Sequence, residues 1–227
     1  MKKYLFLIVL TTLLSVGCKT DKKVEPEPVE KELTVLEKIA TANGIENWDN
    51  IEELKFTFNV DRDTMHFERS WIWNRKSNEI TGISMGQTST YNRSEVDSTT
   101  AQVDGAFIND KYWLLAPINI MWDKDNLTET YTPKTVAPIS GDSLQKLTVV
   151  YNNIGGYTPG DAYDFYFGED HMVKEWVFRK GNQEAPNSVT TWEDYADKGG
   201  LKIALMHQSE DKSFKIYFTD VSVTLRE

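Results

Sequence analysis

Over much of the chain, apolar residues fall on every second position. Leu54, Phe56, Phe58 and Val60 alternate with Lys55, Thr57 and Asn59. Phe67, Trp71 and Trp73 share a face, with Arg69 between them. The same period returns in Leu147, Val149, Tyr151, in Tyr163, Phe165, Phe167, in Leu201, Ile203, Leu205 and in Ile216, Phe218, and Trp176 and Phe178 form a further run. Such alternation predicts half-buried strands. Turn signals separate the runs: Asp61 to Asp63, Asn109-Asp110, Asn152-Asn153, Gly155-Gly156, Gly168 to Asp170, Gly181-Asn182, Gly199-Gly200 and Glu210-Asp211. About ten strands joined by short turns imply an antiparallel meander with one apolar face. One helix is predicted before them. Thr34 and Glu37 match a capping box, Leu33, Leu36, Ile39 and Ala40 share a face, and Gly44 marks the stop. The span from Asn119 to Ser143 carries Pro133 and Pro138 and little period, so it reads as a long excursion. The fold class is α+β, and no internal repeat is visible.

The N-terminus changes the picture. Lys2 and Lys3 precede an apolar run from Tyr4 to Leu14, and Ser15-Val16-Gly17 places small residues before Cys18. That order reads as a secretory signal over 1–17, too short for the roughly 20 apolar residues of a membrane span. The ending resembles a bacterial lipobox, with Ser15 standing where Leu is usual. The resemblance implies cleavage before Cys18 and attachment of acyl chains, palmitate among them, to that residue. Cys18 is the only cysteine, so the exported domain has no disulfide and must be held by its core. Residues 18–32 are rich in Lys, Glu, Val and Pro and read as a lipidated flexible tether, leaving 33–227 as a single domain. Removing 1–17 takes away two lysines and lowers the net charge from −10 to −12. A domain this acidic repels nucleic acid and anionic lipid surfaces, so its membrane partner is engaged through the acyl chains.

Candidate chemistry is sparse. Gly82-Ile83-Ser84-Met85-Gly86 matches the serine nucleophile elbow, but no amphipathic helix follows it, and His171 and His207 are not placed beside Ser84 by anything in the sequence. A Gly-punctuated strand is the plainer reading. His66, His171 and His207 lack ligand spacing, and Asp123-Lys124-Asp125-Asn126 lacks the glycine of an EF-hand loop. No phosphate-binding loop is present, so no metal or cofactor is expected and the chain reads as a non-enzyme. What stands out is aromatic content assigned to sheet faces: Phe56, Phe58, Trp71, Trp73, Trp113, Tyr163, Phe165, Phe167, Trp176 and Phe178. Aromatics of this kind make cores, and in a curved sheet they can also wall an apolar cavity.

Two stretches carry a family resemblance. One is Ile39 to Trp48 followed by Ile51 to Phe56; the other is Trp192-Glu193-Asp194-Tyr195, then Gly199-Gly200-Leu201. On these the chain resembles the LolA/LolB-like lipoprotein carriers, and within that fold a Bacteroidetes-type lipoprotein family. The second stretch has Ala204 where the family commonly has proline. The resemblance implies a strongly curved antiparallel half-barrel, an N-terminal helix, a short helical lid and an apolar ligand, a lipid or acyl chain, on the concave side. The lining it suggests is Phe56, Phe58, Trp71, Trp73, Trp113, Phe165, Phe167 and Trp176. It implies a lipid-anchored protein of the bacterial envelope, at the outer membrane rather than the inner. The alternative is a structural or partner-binding envelope lipoprotein with a filled core.

Overall fold

The first helix, α1 (Val35–Ala42), begins on the predicted capping box: the Thr34 amide donates to Glu37 Oε2 at 2.9 Å and the Glu37 amide to Thr34 Oγ1 at 3.2 Å. It buries Leu36, Ile39 and Ala40. Gly44 follows at φ 84°, where a Cβ would run into the carbonyl of Gly200. The structure, a computed structural model, describes residues 32–226. The signal sequence, Cys18 and the tether before Glu32 lie outside the described residues. Leu33–Glu227 forms one compact unit, and among the described residues no helix is long and apolar enough to cross a membrane.

Twelve strands follow the opening helix. β1 (Ile51–Arg62), β2 (Met65–Asn74), β3 (Glu79–Ser84) and β4 (Gln87–Asn92) form a meander. Then come β5 (Leu127–Val136), β6 (Ser143–Tyr151), β7 (Ala162–Phe167), β8 (Val173–Arg179) and β9 (Ser188–Thr191). β10 (Glu193–Lys198), β11 (Leu201–Gln208) and β12 (Phe214–Leu225) complete the chain. One sheet has the order β10-β11-β12-β1-β2-β3-β4 and the other β5-β6-β7-β8-β9, and every pairing is antiparallel. The β12–β1 ladder closes the first sheet between the two ends of the domain. Its register shifts near Glu53 and between Lys55 and Thr57, and bulges of this kind bend long strands.

The two sheets meet through Trp192. It is the single residue between β9 and β10, and its amide donates to Lys174 O at 2.7 Å. β9 still touches β11 there: the Gln208 amide donates to Thr191 Oγ1. The result is an open, curved antiparallel sheet: the antiparallel pairing that the alternation predicted, bent into the half-barrel that the resemblance implied.

The resemblance implied a short helical lid on the concave side, but the alternation gave no sign of the long helix that fills it. α2 (Ala101–Trp122) runs 22 residues, straight through the Asn109-Asp110 pair read as a turn and into the predicted excursion at Asn119. From Asp110 to Ile120 every residue except Trp113 is buried. A helix buried on nearly all sides, with polar residues such as Asp110, Lys111 and Asn119 enclosed along with the apolar ones, shows no helical periodicity. It leaves helical geometry at Leu115, two residues before Pro117, whose ring breaks the helical hydrogen-bond ladder. Phe107, Leu114, Leu115 and Ile118 pack with Phe56, Trp71, Ile80 and Phe218. Tyr112, Ala116 and Ile120 pack with Leu147, Phe165, Trp176 and α1 residues Leu36 and Ile39. The rest of the excursion is β5, mostly exposed, with Pro133 at a register shift opposite β6. Proline is tolerated in this place because β5 is an edge strand.

Candidate functional site

Seven of the eight aromatics suggested as a lining are core. Phe56, Phe58, Trp71, Trp73, Phe165, Phe167 and Trp176 are each buried. Trp113, read as a strand residue, sits on α2 and is half-buried, with its ring 4.5 Å from that of Trp176. The Phe107 ring meets Trp71 and Trp73 edge-on at 5.4 and 5.5 Å. The Trp71 indole N–H donates to Asp110 Oδ2 at 2.8 Å. α2 therefore takes up the concave side in contact with these rings.

A mostly apolar opening lies elsewhere, at the seam where β8 meets the β9–β10 junction. It has a volume of about 540 Å³ and none of the eight residues lines it. Its walls are Ile139, Leu144, Met172, Val173, Trp192 and Tyr195. Alternation along β8 explains one wall. Trp176 faces α2, so Glu175 and Val177 face the other side, where Val177 joins Ala137 and Tyr166 in a small third cluster with Leu144 and Val189 packed against it. The turn after β5 folds over that side, closed by the Ala137 amide on Asp142 O. Both oxygens of the buried Glu175 carboxylate are used to hold it: Ile139 N donates at 2.7 Å and Ser140 N at 2.9 Å. On the opposite wall the Tyr195 hydroxyl donates to Val173 O at 2.8 Å, and burial pushes that phenol well above its ordinary pKa, so it stays neutral.

The cleft has a polar margin of mostly one sign. Asp142, Asp170 and Glu193 stand on it with Lys174 as the one cation. Glu193 accepts from Gln208 Nε2, and Asp170 from the Met172 amide. The arrangement holds an apolar body and disfavours an anionic head. Behind Trp192, His207 is fully buried, its ring 4.4 Å from Trp192 and 5.9 Å from Phe218, with Nδ1 on Thr191 O. Burial pulls it down to about 3, so it is neutral at physiological pH.

Ser84 closes β3, and Met85 and Gly86 turn directly into β4 at φ 49° and 73°. Two positive φ values at the centre make a two-residue hairpin turn, not a strand-to-helix elbow. His207 is spent at the seam, and His171 stacks on Phe167. Asp123 to Asn126 sits in a short 3-10 turn, and among the described residues no group of three or more His, Cys, Asp or Glu could hold a metal ion.

Sequence reasoning missed Ile139, Leu144 and Met172 because they belong to no periodic face of their own. Trp192 and Tyr195 stood in the stretch that carried the resemblance, but as a hairpin. That hairpin is present as β10–β11, turning at Gly199 and Gly200.

An open, curved antiparallel sheet around a central helix is a LolA-like fold. No family model and no curated protein matches the chain. Among solved structures, a LolA superfamily protein from Nitrosomonas europaea aligns over 86% of this chain and 95% of its own at TM-score 0.52 and 8% identity. A DUF1329 family protein from Desulfovibrio piger aligns over 82% and 91% at TM-score 0.45 and 7% identity. An outer membrane lipoprotein-sorting protein domain from Vibrio parahaemolyticus aligns over 82% and 91% at TM-score 0.43 and 8% identity. At these identities the likeness is one of fold, and the first of the three carries it.

Proposed function

We propose that the chain is a non-enzymatic protein of the bacterial envelope, tethered by acyl chains on Cys18 and facing the periplasm from the outer membrane, that holds an apolar ligand in the seam cleft. One observation carries the reading: a cleft of about 540 Å³ walled by Ile139, Leu144, Met172, Val173, Trp192 and Tyr195. That volume lies within the roughly 300–1,000 Å³ typical of small-molecule sites. The ligand is a lipid or acyl chain whose polar end is neutral or cationic, because the margin is acidic. The fold likeness supports the reading, since one neighbour is a LolA superfamily protein. The test is displacement of a neutral fluorescent naphthylamine probe by long-chain alcohols, in the wild type and in Leu144→Asp and Met172→Asp. Binding that both substitutions abolish, with folding intact, supports it; probe binding that is absent or indifferent to both ends it.

A second reading has its own observation. α2 occupies the concave side, as a structural or partner-binding envelope lipoprotein with a filled core requires. Crosslinking in cells that recovers one defined protein through the seam face, with no apolar ligand copurifying, favours this second reading.

A further inference from the structure

The seam cleft carries charge that its apolar walls do not call for. Four carboxylates line it, Asp142, Asp170, Glu175 and Glu193, against one ammonium, Lys174, an excess of three negative charges. Among the described residues none of the four carboxylates is in an ion pair. Glu175 is buried, and its two oxygens are occupied by the amides of Ile139 and Ser140, so its part is to hold the roof. Lys174 stands on the Asp170 side of the margin. Its Nζ and Asp170 Oδ1 come within 3.4 and 3.0 Å of the place that a Cβ on Gly168 would take. Asp142 and Glu193 are left with no cation of the lining assigned to them. Glu193 is half-buried, and both its oxygens accept from a neutral donor, Gln208 Nε2, at 3.1 and 3.0 Å. Asp142 is exposed at the end of the roof turn.

A cleft lined by one sign of charge, with walls of low dielectric, focuses its field and concentrates ions of the other sign. Two walls add to that pull. Trp192 and Tyr195 belong to the same lining, and aromatic faces attract cations through the ring quadrupole. The remaining walls, Ile139, Leu144, Met172 and Val173, offer only apolar surface. An anionic head would meet the carboxylates directly, and an uncharged head would gain nothing from them.

We infer that the cleft binds an alkyl chain ending in an ammonium group, whose charge is held by Asp142 and Glu193 and whose chain lies against Leu144, Met172 and Val173. The inference rests on the cleft reading above and narrows it: the polar end is a cation, not an alcohol or an ester. The ammonium belongs either to a primary amine, which donates hydrogen bonds to the carboxylates, or to a quaternary one, which has only its charge and the faces of Trp192 and Tyr195.

The experiment is calorimetric titration of the full chain with four ligands of one chain length: decylamine, decyltrimethylammonium, decanol and decanoate. At neutral pH decylamine is charged, as a lysine side chain is. At least one ammonium ligand is expected to bind about tenfold or more tighter than decanol, and decanoate to bind more weakly than decanol. Raising salt from about 50 mM to about 500 mM narrows the gap between ammonium and alcohol. Asp142→Asn combined with Glu193→Gln keeps the size of both side chains and an acceptor for Gln208; it removes most of the gap and leaves decanol affinity unchanged. If that variant does not fold, the response to salt decides. A preference confined to decylamine assigns the head to hydrogen bonds with the carboxylates. One that decyltrimethylammonium shares or holds alone assigns it to charge and the ring faces. The inference is overturned, with the cleft reading intact, if decanol binds as tightly as both ammonium ligands or if the gap is unmoved by salt or by the double substitution. If none of the four binds, the cleft reading fails and the inference with it.

Discussion

The Asp110 carboxylate accepts two parallel hydrogen bonds from the Arg69 guanidinium, from Nε at 2.8 Å and Nη2 at 2.7 Å, and so fastens α2 to β2. Trp71 N–H and Asn109 Nδ2 donate to the same carboxylate. Asp110 is fully buried, and Arg69 is mostly so. Removing one partner of a buried, hydrogen-bonded pair leaves the other uncompensated. Asp110→Ala is expected to cost about 3 kcal/mol by urea denaturation, and Arg69→Met combined with Asp110→Leu to recover part of that loss.

His207 makes stability depend on pH in a definite direction. Its folded pKa of about 3 lies below the ordinary 6.5 of an unfolded histidine. Between those values the unfolded chain binds the proton and the folded chain does not. The contribution is intact above pH 6.5 and shrinks as pH falls toward 3. At pH 5 the loss is about 2 kcal/mol. The difference in unfolding free energy between pH 7.5 and pH 5 should be smaller in His207→Leu than in the wild type by about that amount.

Gly82 is needed for packing. It pairs with Trp71 across the β2–β3 ladder, and a Cβ there would run into the six-membered ring of Trp71. Gly82→Ala is expected to lower stability by about 1–3 kcal/mol by displacing a fully buried indole. Ser84→Ala, at the hairpin end, is expected to change neither stability nor ester turnover, measured on a chromogenic ester.

Glu175 holds the roof of the seam cleft. Glu175→Ala frees the amides of Ile139 and Ser140, so hydrogen exchange over 137–142 is expected to quicken and apolar probe affinity to fall. Unchanged exchange in that segment would show that the turn is held by its own contacts.

The strands were legible wherever one face is buried, as in Leu54 to Val60 and Leu201 to Leu205, because the period of two is imposed by that asymmetry. α1 was legible down to its capping hydrogen bonds, since Thr34 and Glu37 satisfy each other locally. α2 was not, for the opposite reason. With Tyr112, Leu114, Leu115, Ala116 and Ile118 all buried, its second half has no exposed polar face to set a period, and Asn109, Asp110 and Pro117 imitate loop punctuation. Asp110 is polar because it has a partner 41 positions away, which no local pattern reveals. The seam was hidden too. Its walls are drawn from the turn after β5, the start of β8 and the Trp192 crossover, three segments brought together by topology alone.

The most direct measurement is quenching of tryptophan fluorescence by a neutral bromine-labelled alkyl alcohol, compared between wild type and Trp192→Phe. The cleft reading predicts saturable quenching in the wild type that is largely lost in the variant, because Trp192 forms its wall while Trp71, Trp73 and Trp176 are enclosed with α2. Saturable quenching of equal depth in both proteins, or none in either, would contradict it.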